Sequence, residues 1–228
     1  MATISAGSYD VNHWLCGGYE AGVITVLYGP SGSGKTNFCL QVAASQAKKG
    51  NKVLYIDTEG GFSVERMRQL VPIATDGALQ NIFLLSPTNF TEQVKAFEQL
   101  LKYTTQKISL IVVDGMTILY RLDAATARQR EQREIQNVNA ALAQQLRVLA
   151  EIARKQQIPV LVTNQTYSWE AETKMVAGDL LRYWGKCHIE LVQNGNKRTA
   201  YLRKHRSLGE RTLGFCIVDA GIQKRGWL

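Results

Sequence analysis

An eight-residue stretch from Gly29 to Thr36, Gly-Pro-Ser-Gly-Ser-Gly-Lys-Thr, constrains the fold of this chain more than any other feature. It fits G-x-x-x-x-G-K-[ST], in which glycines let the backbone turn tightly and aim successive N–H groups into a concave anion site. The apolar run at 23–28 is typical of a buried strand, and residues 37–44 suit a helix. Strand, loop and helix in this order predict a phosphate-binding site at a helix N-terminus.

The residue types in the loop indicate what each contributes. Lys35 can reach the β- and γ-phosphates of a nucleotide, and the Thr36 hydroxyl is a ligand for Mg²⁺. The alternative, a glycine-rich turn that binds nothing, is disfavoured by the flanking strand and helix. The residues predicted to bind the nucleotide are Gly29, Pro30, Ser31, Gly32, Ser33, Gly34, Lys35 and Thr36.

Strand and helix patterns alternate along most of the chain, which predicts an α/β fold with a largely parallel sheet flanked by helices. The predicted strands lie at 52–57, 82–85, 108–113 and 159–163, and the predicted helices at 10–15, 64–71, 91–103 and 126–156. Short strands at 188–193, 198–204 and 215–218 are expected to add antiparallel strands at one edge of the same sheet. We therefore predict one domain over 1–228, with a short lead-in at about 1–20.

Composition narrows the class of protein. Apolar residues make up 45% of the chain and charged residues 20%, and no apolar run approaches the roughly 20 residues that span a bilayer. A basic segment followed by an apolar one, as in a secretory signal, is not seen near the start, so a cytoplasmic location is predicted. The four cysteines are widely spaced, which favours buried free thiols over a disulfide framework or a zinc site. The net charge of +8 permits a polyanionic partner without establishing one.

Polar side chains end three of the predicted strands, where a parallel sheet places its ligand crevice. Asp114 follows the apolar run at 110–113 and is predicted to hold Mg²⁺ together with Thr36. Glu59, just after the strand at 52–57, is a candidate general base, although Asp57 and Glu59 could instead cap a turn. Gln165 ends the strand at 159–163 and can hydrogen-bond a γ-phosphate without adding charge; the alternative is a satisfied polar strand end.

These motifs together resemble the ATPase core of the RecA/RadA strand-exchange recombinases. The resemblance is carried, in order along nearly the whole chain, by residues 15–22, 29–36, 56–66, 113–121 and 163–165. It is strongest to an archaeal paralogue that consists of essentially this core alone. It implies a RecA-type fold, ATP and Mg²⁺ as ligands, Glu59 as the catalytic glutamate, Gln165 as the γ-phosphate sensor and Arg66 packed on the adenine. It further implies that the segment after Arg121 and residues 166–177 face DNA.

Three departures from the family pattern bear on activity. The family's helical N-terminal DNA-binding domain does not fit before Leu15, and an F-x-x-A hinge, by which one protomer docks on the next, does not occur. The family's proline-bearing cap over a neighbour's ATP is replaced by Lys-His-Arg-Ser-Leu-Gly at 204–209. Because strand exchange needs a stable filament, these departures predict an oligomer at most, with weak ATP hydrolysis and no autonomous strand exchange.

DNA is the partner that the resemblance implies, in single-stranded or branched form, because nothing here resembles a base-reading recognition helix. The cations at 197–211 could contact phosphates, and aromatic residues in the second segment could stack on unpaired bases. The arginines after Tyr120 could instead be a solvated helix face, and the aromatic rings could pack beneath the loop. The DNA-binding candidates are Arg121, Arg128, Tyr167, Trp169, Lys174, Lys197, Arg198, Arg203, Lys204 and Arg206.

Three functional hypotheses remain open at this level. The first is an ATP-binding and DNA-binding regulator in homologous recombination and repair, acting with a full-length recombinase or a Holliday-junction nuclease. The second is an active DNA-stimulated ATPase that forms filaments and exchanges strands, which the complete set of Lys35, Thr36, Glu59, Asp114 and Gln165 keeps possible. The third is a RecA-type core used in a clock or signalling ATPase.

Overall fold

The computed structural model describes residues 2–103, 107–130, 132–169 and 172–226, without the side chains at 101–103, 130, 168–169 and 172–173. The strands are β1 (Thr3–Ile4), β2 (Tyr19–Glu20), β3 (Ile24–Gly29), β4 (Lys52–Asp57), β5 (Ile82–Leu85), β6 (Ile108–Asp114), β7 (Val160–Trp169), β8 (Glu172–Met175), β9 (Gly185–Asn194), β10 (Lys197–Lys204), β11 (Arg211–Val218) and β12 (Gly221–Lys224). The helices are α1 (Tyr9–Trp14), α2 (Lys35–Lys48), α3 (Val64–Leu70), α4 (Thr75–Leu79), α5 (Phe90–Tyr103), α6 (Ile118–Arg130), α7 (Gln132–Gln156) and α8 (Gly178–Trp184).

One large sheet organises the molecule. Its strand order is β12-β11-β10-β9-β3-β7-β6-β4-β5, and β8 pairs with β7 off this path. The strands from β9 to β5 in this order are parallel, whereas β10, β11 and β12 add to the edge in antiparallel fashion. The predicted α/β class, with antiparallel strands at the C-terminal edge, is confirmed. The strand expected at 188–193 was predicted to be antiparallel, but β9 runs parallel to β3. Helix α8 explains the difference, because it carries the chain back to the end of the sheet where β3 begins.

Helices cover both faces of the parallel part of the sheet. Helices α1 to α4 pack on one face against strand residues such as Leu27 and Val112. Helices α5 to α8 pack on the other face against the alternate residues, such as Val26 and Val113. Burial on both faces explains why the central strands are continuous apolar runs, each such side chain contributing about 1.5–3 kcal/mol. No helix within the described ranges is both long and apolar enough to cross a membrane.

The segment that follows Asp114 differs from our prediction. One helix was predicted over 126–156, but α6 already begins at Ile118 and a second helix, α7, follows it. The segment after Arg121, expected to be a DNA-facing loop, is therefore helical. Leu119, Tyr120 and Ala124 explain this, because they are buried at helical spacing on the face that packs beside α5 and α7.

The strand predicted at 159–163 was too short. Strand β7 continues to Trp169 and pairs with β8, with Thr166 opposite Met175 and Tyr167 opposite Lys174. The second expected DNA-facing segment, 166–177, thus contains an antiparallel hairpin, consistent with the β-branched and aromatic residues at 166 and 167. Helices α4 and α8 and strands β1, β2 and β12 were also not predicted; each spans seven residues or fewer.

The lead-in segment closes one edge of the sheet. Helix α1 lies against β12, where the Ser8 hydroxyl donates to the Ile222 carbonyl at 2.6 Å. The Asp10 carboxylate accepts from the Lys224 N–H at 2.7 Å, and the Gln41 amide oxygen accepts from the Ile222 N–H at 2.9 Å. These side chains satisfy backbone groups that an open sheet edge would offer to another strand.

Candidate nucleotide site

The phosphate loop links the end of β3 to the start of α2. Gly34 precedes the helix with φ 107°, and Gly32 has φ 75°, conformations that L side chains rarely adopt. Gly29 lies so close to β9 that an added Cβ would stand 2.2 Å from the Leu191 carbonyl oxygen. The loop therefore needs glycine at these points, and its backbone N–H groups precede a helix of 14 residues.

Lys35 lies folded along this loop. Its Nζ donates to the carbonyl oxygens of Gly29 at 3.1 Å and Pro30 at 2.9 Å. Burial lowers the pKa of Lys35, while the carboxylates of Glu59 and Asp114 act in the opposite direction. The ammonium group is thus held beside the loop, where the charges of Glu59 and Asp114 act on it.

Asp114 ends β6 as a buried carboxylate that accepts a hydrogen bond on each of its two oxygens. Tyr55 on β4 donates its hydroxyl to Oδ2 at 3.0 Å, and Thr163 on β7 donates to Oδ1 at 2.7 Å. Burial raises the pKa of Asp114, although hydrogen bonds from Thr163, Thr36 and Tyr55 act against this rise. The carboxylate and the Thr36 hydroxyl are therefore adjacent.

The residues around Thr36 and Asp114 fit Mg²⁺. Both side chains offer hard oxygen ligands, and Mg²⁺ usually takes one or two protein ligands together with substrate phosphates and waters. Gly61 covers this point so closely that an added Cβ would lie 3.1 Å from Thr36 Cγ2 and 3.7 Å from Asp114 Oδ2. Among the described residues no group of three or more His, Cys, Asp or Glu could hold a metal ion.

Glu59 and Asp57 take different places after β4. Asp57 accepts hydrogen bonds from the backbone N–H groups of Glu59, Gly61 and Phe62. It therefore caps the turn, which was the alternative interpretation for this residue. Glu59 instead accepts a hydrogen bond from Gln165 Nε2 at 3.1 Å. Partial desolvation of its carboxyl and the nearby Asp114 raise the pKa of Glu59, while Lys35 and Gln165 lower it. The structure thus brings together Lys35, Thr36, Glu59, Asp114 and Gln165 at the carboxyl end of the sheet.

Arg66 on α3 is fixed by hydrogen bonds to three parts of the chain. Its Nε donates to Asn37 Oδ1 at 2.9 Å, and Nη1 donates to Gln69 Oε1 at 2.6 Å. Nη2 donates to the Val218 carbonyl at 2.8 Å, which ties α3 to the β11–β12 turn. The guanidinium plane is therefore held in place beside the start of α2.

The comparisons with known proteins agree with this geometry. A family model described as Rad51 matches residues 1–225. The chain belongs to the Rad51 family. A DNA repair and recombination protein RadB from Methanobrevibacter smithii is 38% identical over 223 residues, covering 93% of this chain and 92% of the relative. The corresponding RadB of Methanocaldococcus jannaschii is 37% identical over 209 residues, covering 92% and 96%.

A solved structure extends the similarity to the fold. The crystal structure of the RadB recombinase superposes with a TM-score of 0.83 at 36% identity, covering 98% of this chain and 100% of that chain. The resemblance to the RecA/RadA recombinases, including the archaeal paralogue RadB, is confirmed.

Within this Rad51-family fold, the predicted basic cluster at 197–211 does not form one surface. Because β9 is parallel to β3 and β10 returns beside it, Lys197 and Arg198 lie near the nucleotide end of the sheet. Lys204 pairs in register with His188 towards the opposite end. At about 3.3 Å per residue, Lys197 and Lys204 are about 23 Å apart along the strand.

Three cations of that cluster have partners within the protein. Lys204 Nζ donates to the Arg182 and Gly185 carbonyl oxygens at 2.9 and 3.0 Å. Arg203 pairs with Glu190 at 2.7 Å, and Arg206 pairs with the buried Glu20. These contacts give the three side chains structural roles that the sequence did not reveal.

The candidates of the two DNA-facing segments lie partly together. The Arg121 guanidinium is 5.8 Å from the centre of the Tyr167 ring, which is 38% exposed. Arg128 on α6 and Lys174 on β8 are exposed. The side chain of Trp169 lies outside the described residues. Arg121, Gln165 and Glu59 line one small recess, so the first DNA-facing candidate adjoins the catalytic candidates.

Tyr55 and Thr163 are site residues that the sequence analysis missed. Each is a polar residue within or at the end of a buried apolar strand, and this was the available signal. Thr163 Oγ1 also accepts the Gly115 N–H at 2.7 Å, so it links β7 to the turn after Asp114.

Replacing Thr163 with valine should therefore destabilise the protein by about 2 kcal/mol, because a buried N–H and a carboxylate oxygen lose their partner. Urea unfolding measures this free energy. Thr212→Val, at an exposed position on β11, is the matched control and should change it by less than about 0.5 kcal/mol. Equal effects of the two changes would contradict the structural role of Thr163.

Proposed function

We propose that this protein is a Mg²⁺-dependent ATP-binding and DNA-binding regulator in homologous recombination and DNA repair. The observation that carries the proposal is the convergence of Lys35, Thr36, Glu59, Asp114 and Gln165 at one sheet edge. The RadB relatives, whose names state DNA repair and recombination, support the biological setting. We further propose that residues 1–228 act as one ATPase domain in the cytoplasm.

The roles follow from the geometry. The loop N–H groups and Lys35 bind the phosphates of ATP, for which Lys35 exchanges its contacts with the Gly29 and Pro30 carbonyls. Thr36 and Asp114 hold Mg²⁺, which when bound neutralises charge on the phosphates. Glu59 accepts a proton from the attacking water, and Arg66 packs on the adenine.

The hydrogen bond from Gln165 to Glu59 supports slow hydrolysis. In this arrangement the Gln165 amide donates a hydrogen bond to the Glu59 carboxylate, which is the group that must accept a proton from the attacking water. Gln165 has to turn towards the γ-phosphate before Glu59 is free, so ATP binding and the position of β7 are coupled. Because β7 continues into the β7–β8 hairpin, this motion would reach Tyr167 and adjust contacts with single-stranded or branched DNA. Full-length recombinases and Holliday-junction nucleases are the protein partners we propose.

The second candidate function is an active, filament-forming ATPase that exchanges strands. It is favoured by the same complete set of catalytic candidates, all of which are present at one sheet edge. It requires a mode of assembly other than the F-x-x-A hinge, since no such segment occurs in the sequence.

Steady-state ATP hydrolysis with and without single-stranded DNA separates the two functions. A slow rate that does not respond to bound DNA is the result expected of the regulator. Stimulation of a hundredfold or more, together with filaments, would exclude it in favour of the second candidate. Absence of Mg²⁺-dependent ATP binding would exclude both.

The pH dependence of hydrolysis should reflect the raised pKa of Glu59. Protonation removes the general base, so kcat/KM should fall as the pH drops. Because the pKa of Glu59 is raised, the fall should begin at a higher pH than for a glutamate free in water. A pH profile of kcat/KM, which reports the protein without bound ATP, measures this; a profile that is flat down to the ordinary carboxyl range would contradict it.

A further inference from the structure

An exposed aromatic residue surrounded by cations lies at the end of the sheet opposite the phosphate loop. Tyr183, near the end of α8, is 70% exposed. Strand β9 starts beside Tyr183, at Gly185, which pairs with Ile24, the first residue of β3. The phosphate loop follows the last residue of β3, at the other end of that strand. The patch is therefore about 17 Å along β3 from the nucleotide site. We call Arg182, Tyr183 and Lys186 the α8 patch.

The ring of Tyr183 is held in place by its neighbours. Trp184 packs edge-on at a centroid distance of 5.2 Å and an interplanar angle of 89°. Lys186 Nζ lies 5.9 Å from the Tyr183 ring centre and donates to the Tyr183 carbonyl at 3.1 Å. A ring fixed in this way loses little conformational entropy on binding, so it is suited to stacking.

Positive charge at the α8 patch is weakly compensated. Arg182 is 3.8 Å from Asp179, whose carboxylate is fully exposed, and such a pair contributes little. Among the described residues no carboxylate forms an ion pair with Lys186 or Lys204. Burial and, after it, the nearby Lys186 lower the pKa of Lys204, as expected where cations approach one another.

His188, which is buried beneath the patch, is affected by the same cations. Burial and, after it, the cations Lys204, Arg182 and Lys186 together lower its pKa to about 4, although a hydrogen bond to the Gly185 carbonyl acts against this fall. The histidine is thus neutral and supplies no charge of its own. Lys204 uses two of its three protons on backbone carbonyls, so Arg182 and Lys186 are the cations with most capacity for a partner.

We propose that the α8 patch binds single-stranded DNA, with Tyr183 stacked on a base and Arg182 and Lys186 against its phosphates. This inference rests on the proposed DNA-binding function and assigns it residues outside the candidates identified from the sequence. Proteins that bind single strands combine a basic surface with aromatic side chains on which unpaired bases stack. A duplex keeps its bases stacked internally, and an acidic peptide would use the cations without the ring. The combination therefore favours single-stranded DNA.

The test is fluorescence anisotropy with labelled oligo-dT and with a duplex of the same length, over a range of salt. Tyr183→Ala should weaken oligo-dT binding about tenfold and affect the duplex much less. Arg182→Ala with Lys186→Ala should reduce the slope of log K against log salt by about 1.4, at about 0.7 per phosphate of a single strand. None of these side chains is buried, so the variants should fold normally.

Two control variants match these changes. Tyr9→Ala removes a ring that is 83% exposed and stacks on His13 of α1. Lys48→Ala with Lys49→Ala removes two exposed lysines at the end of α2. Both controls should bind oligo-dT like the unaltered protein.

The outcomes distinguish this inference from the proposed function. Wild-type affinity of the α8 variants, in a protein that does bind oligo-dT, overturns the inference alone. Failure of the unaltered protein to bind any DNA removes the DNA-binding part of the proposed function and the inference with it. Displacement of oligo-dT by polyglutamate with no effect of Tyr183→Ala would show a surface that binds acidic chains through charge, which also overturns the inference.

Discussion

Replacing Arg206 with alanine is expected to lower the free energy of unfolding by about 3 kcal/mol, although the residue is largely on the surface. Its guanidinium pairs with Glu20, whose side chain is only 3% exposed. Without Arg206, the remaining ionic neighbour of that carboxylate among the described residues is His205, with Nε2 at 3.7 Å. Burial lowers the pKa of His205, so it is a poor replacement cation at neutral pH.

Urea unfolding of three variants tests this contact. Arg206→Ala leaves an uncompensated buried charge, whereas Glu20→Gln with Arg206→Ala removes the charge as well and should recover more than half of the loss. Arg225→Ala, at another exposed arginine, is the control and should change stability by less than about 0.5 kcal/mol. If the double variant is no more stable than Arg206→Ala, then the loss does not come from the buried carboxylate of Glu20.

This contact shows why the positions of the cations in the basic segment could not be predicted from the sequence. In the sequence, the cations at 197–211 form a single cluster, but strand geometry separates the ends of β10 by about 23 Å. Arg206 reaches Glu20, 186 residues earlier in the chain, and Lys204 reaches the end of α8. Partners so distant in sequence leave no local signal.

Features with a local cause were predicted well. Strands at 52–57 and 82–85 have the predicted bounds, because their apolar runs end at turn-forming residues. The strand-loop-helix unit at 24–48 follows in the same way from its glycines and flanking patterns. Helix α6 was missed because the family resemblance suggested a loop there and outweighed the buried residues at helical spacing.

The candidate site shows the same division between local and distant causes. Acids and amides at strand ends could be identified because parallel strands bring their carboxyl ends to one edge. The residues themselves left open whether both Asp57 and Glu59 cap the turn, because the two acids differ in where their side chains find partners. Asp57 accepts three backbone N–H groups of its own turn, whereas Glu59 meets Gln165, 106 residues away.

Replacing Glu59 with glutamine should reduce ATP hydrolysis by at least about a hundredfold while ATP still binds. The amide keeps the size of the side chain and can still hydrogen-bond Gln165, but it cannot accept a proton from water. Binding persists because the contacts expected to hold the phosphates come from the loop and Lys35. Single-turnover hydrolysis and ATP affinity, measured on the same preparation, separate the two effects.

The matched control for Glu59→Gln is Glu65→Gln on α3, whose carboxylate is 80% exposed and should not affect the rate. Gln165→Ala gives a second, independent comparison. It removes the side chain proposed to couple the γ-phosphate to β7, so ATP should bind as before, but ATP binding should no longer change the affinity for DNA. If the Glu59→Gln variant hydrolyses ATP at the unaltered rate, Glu59 is not the general base. The hydrogen bond between Gln165 and Glu59 then has only a structural role.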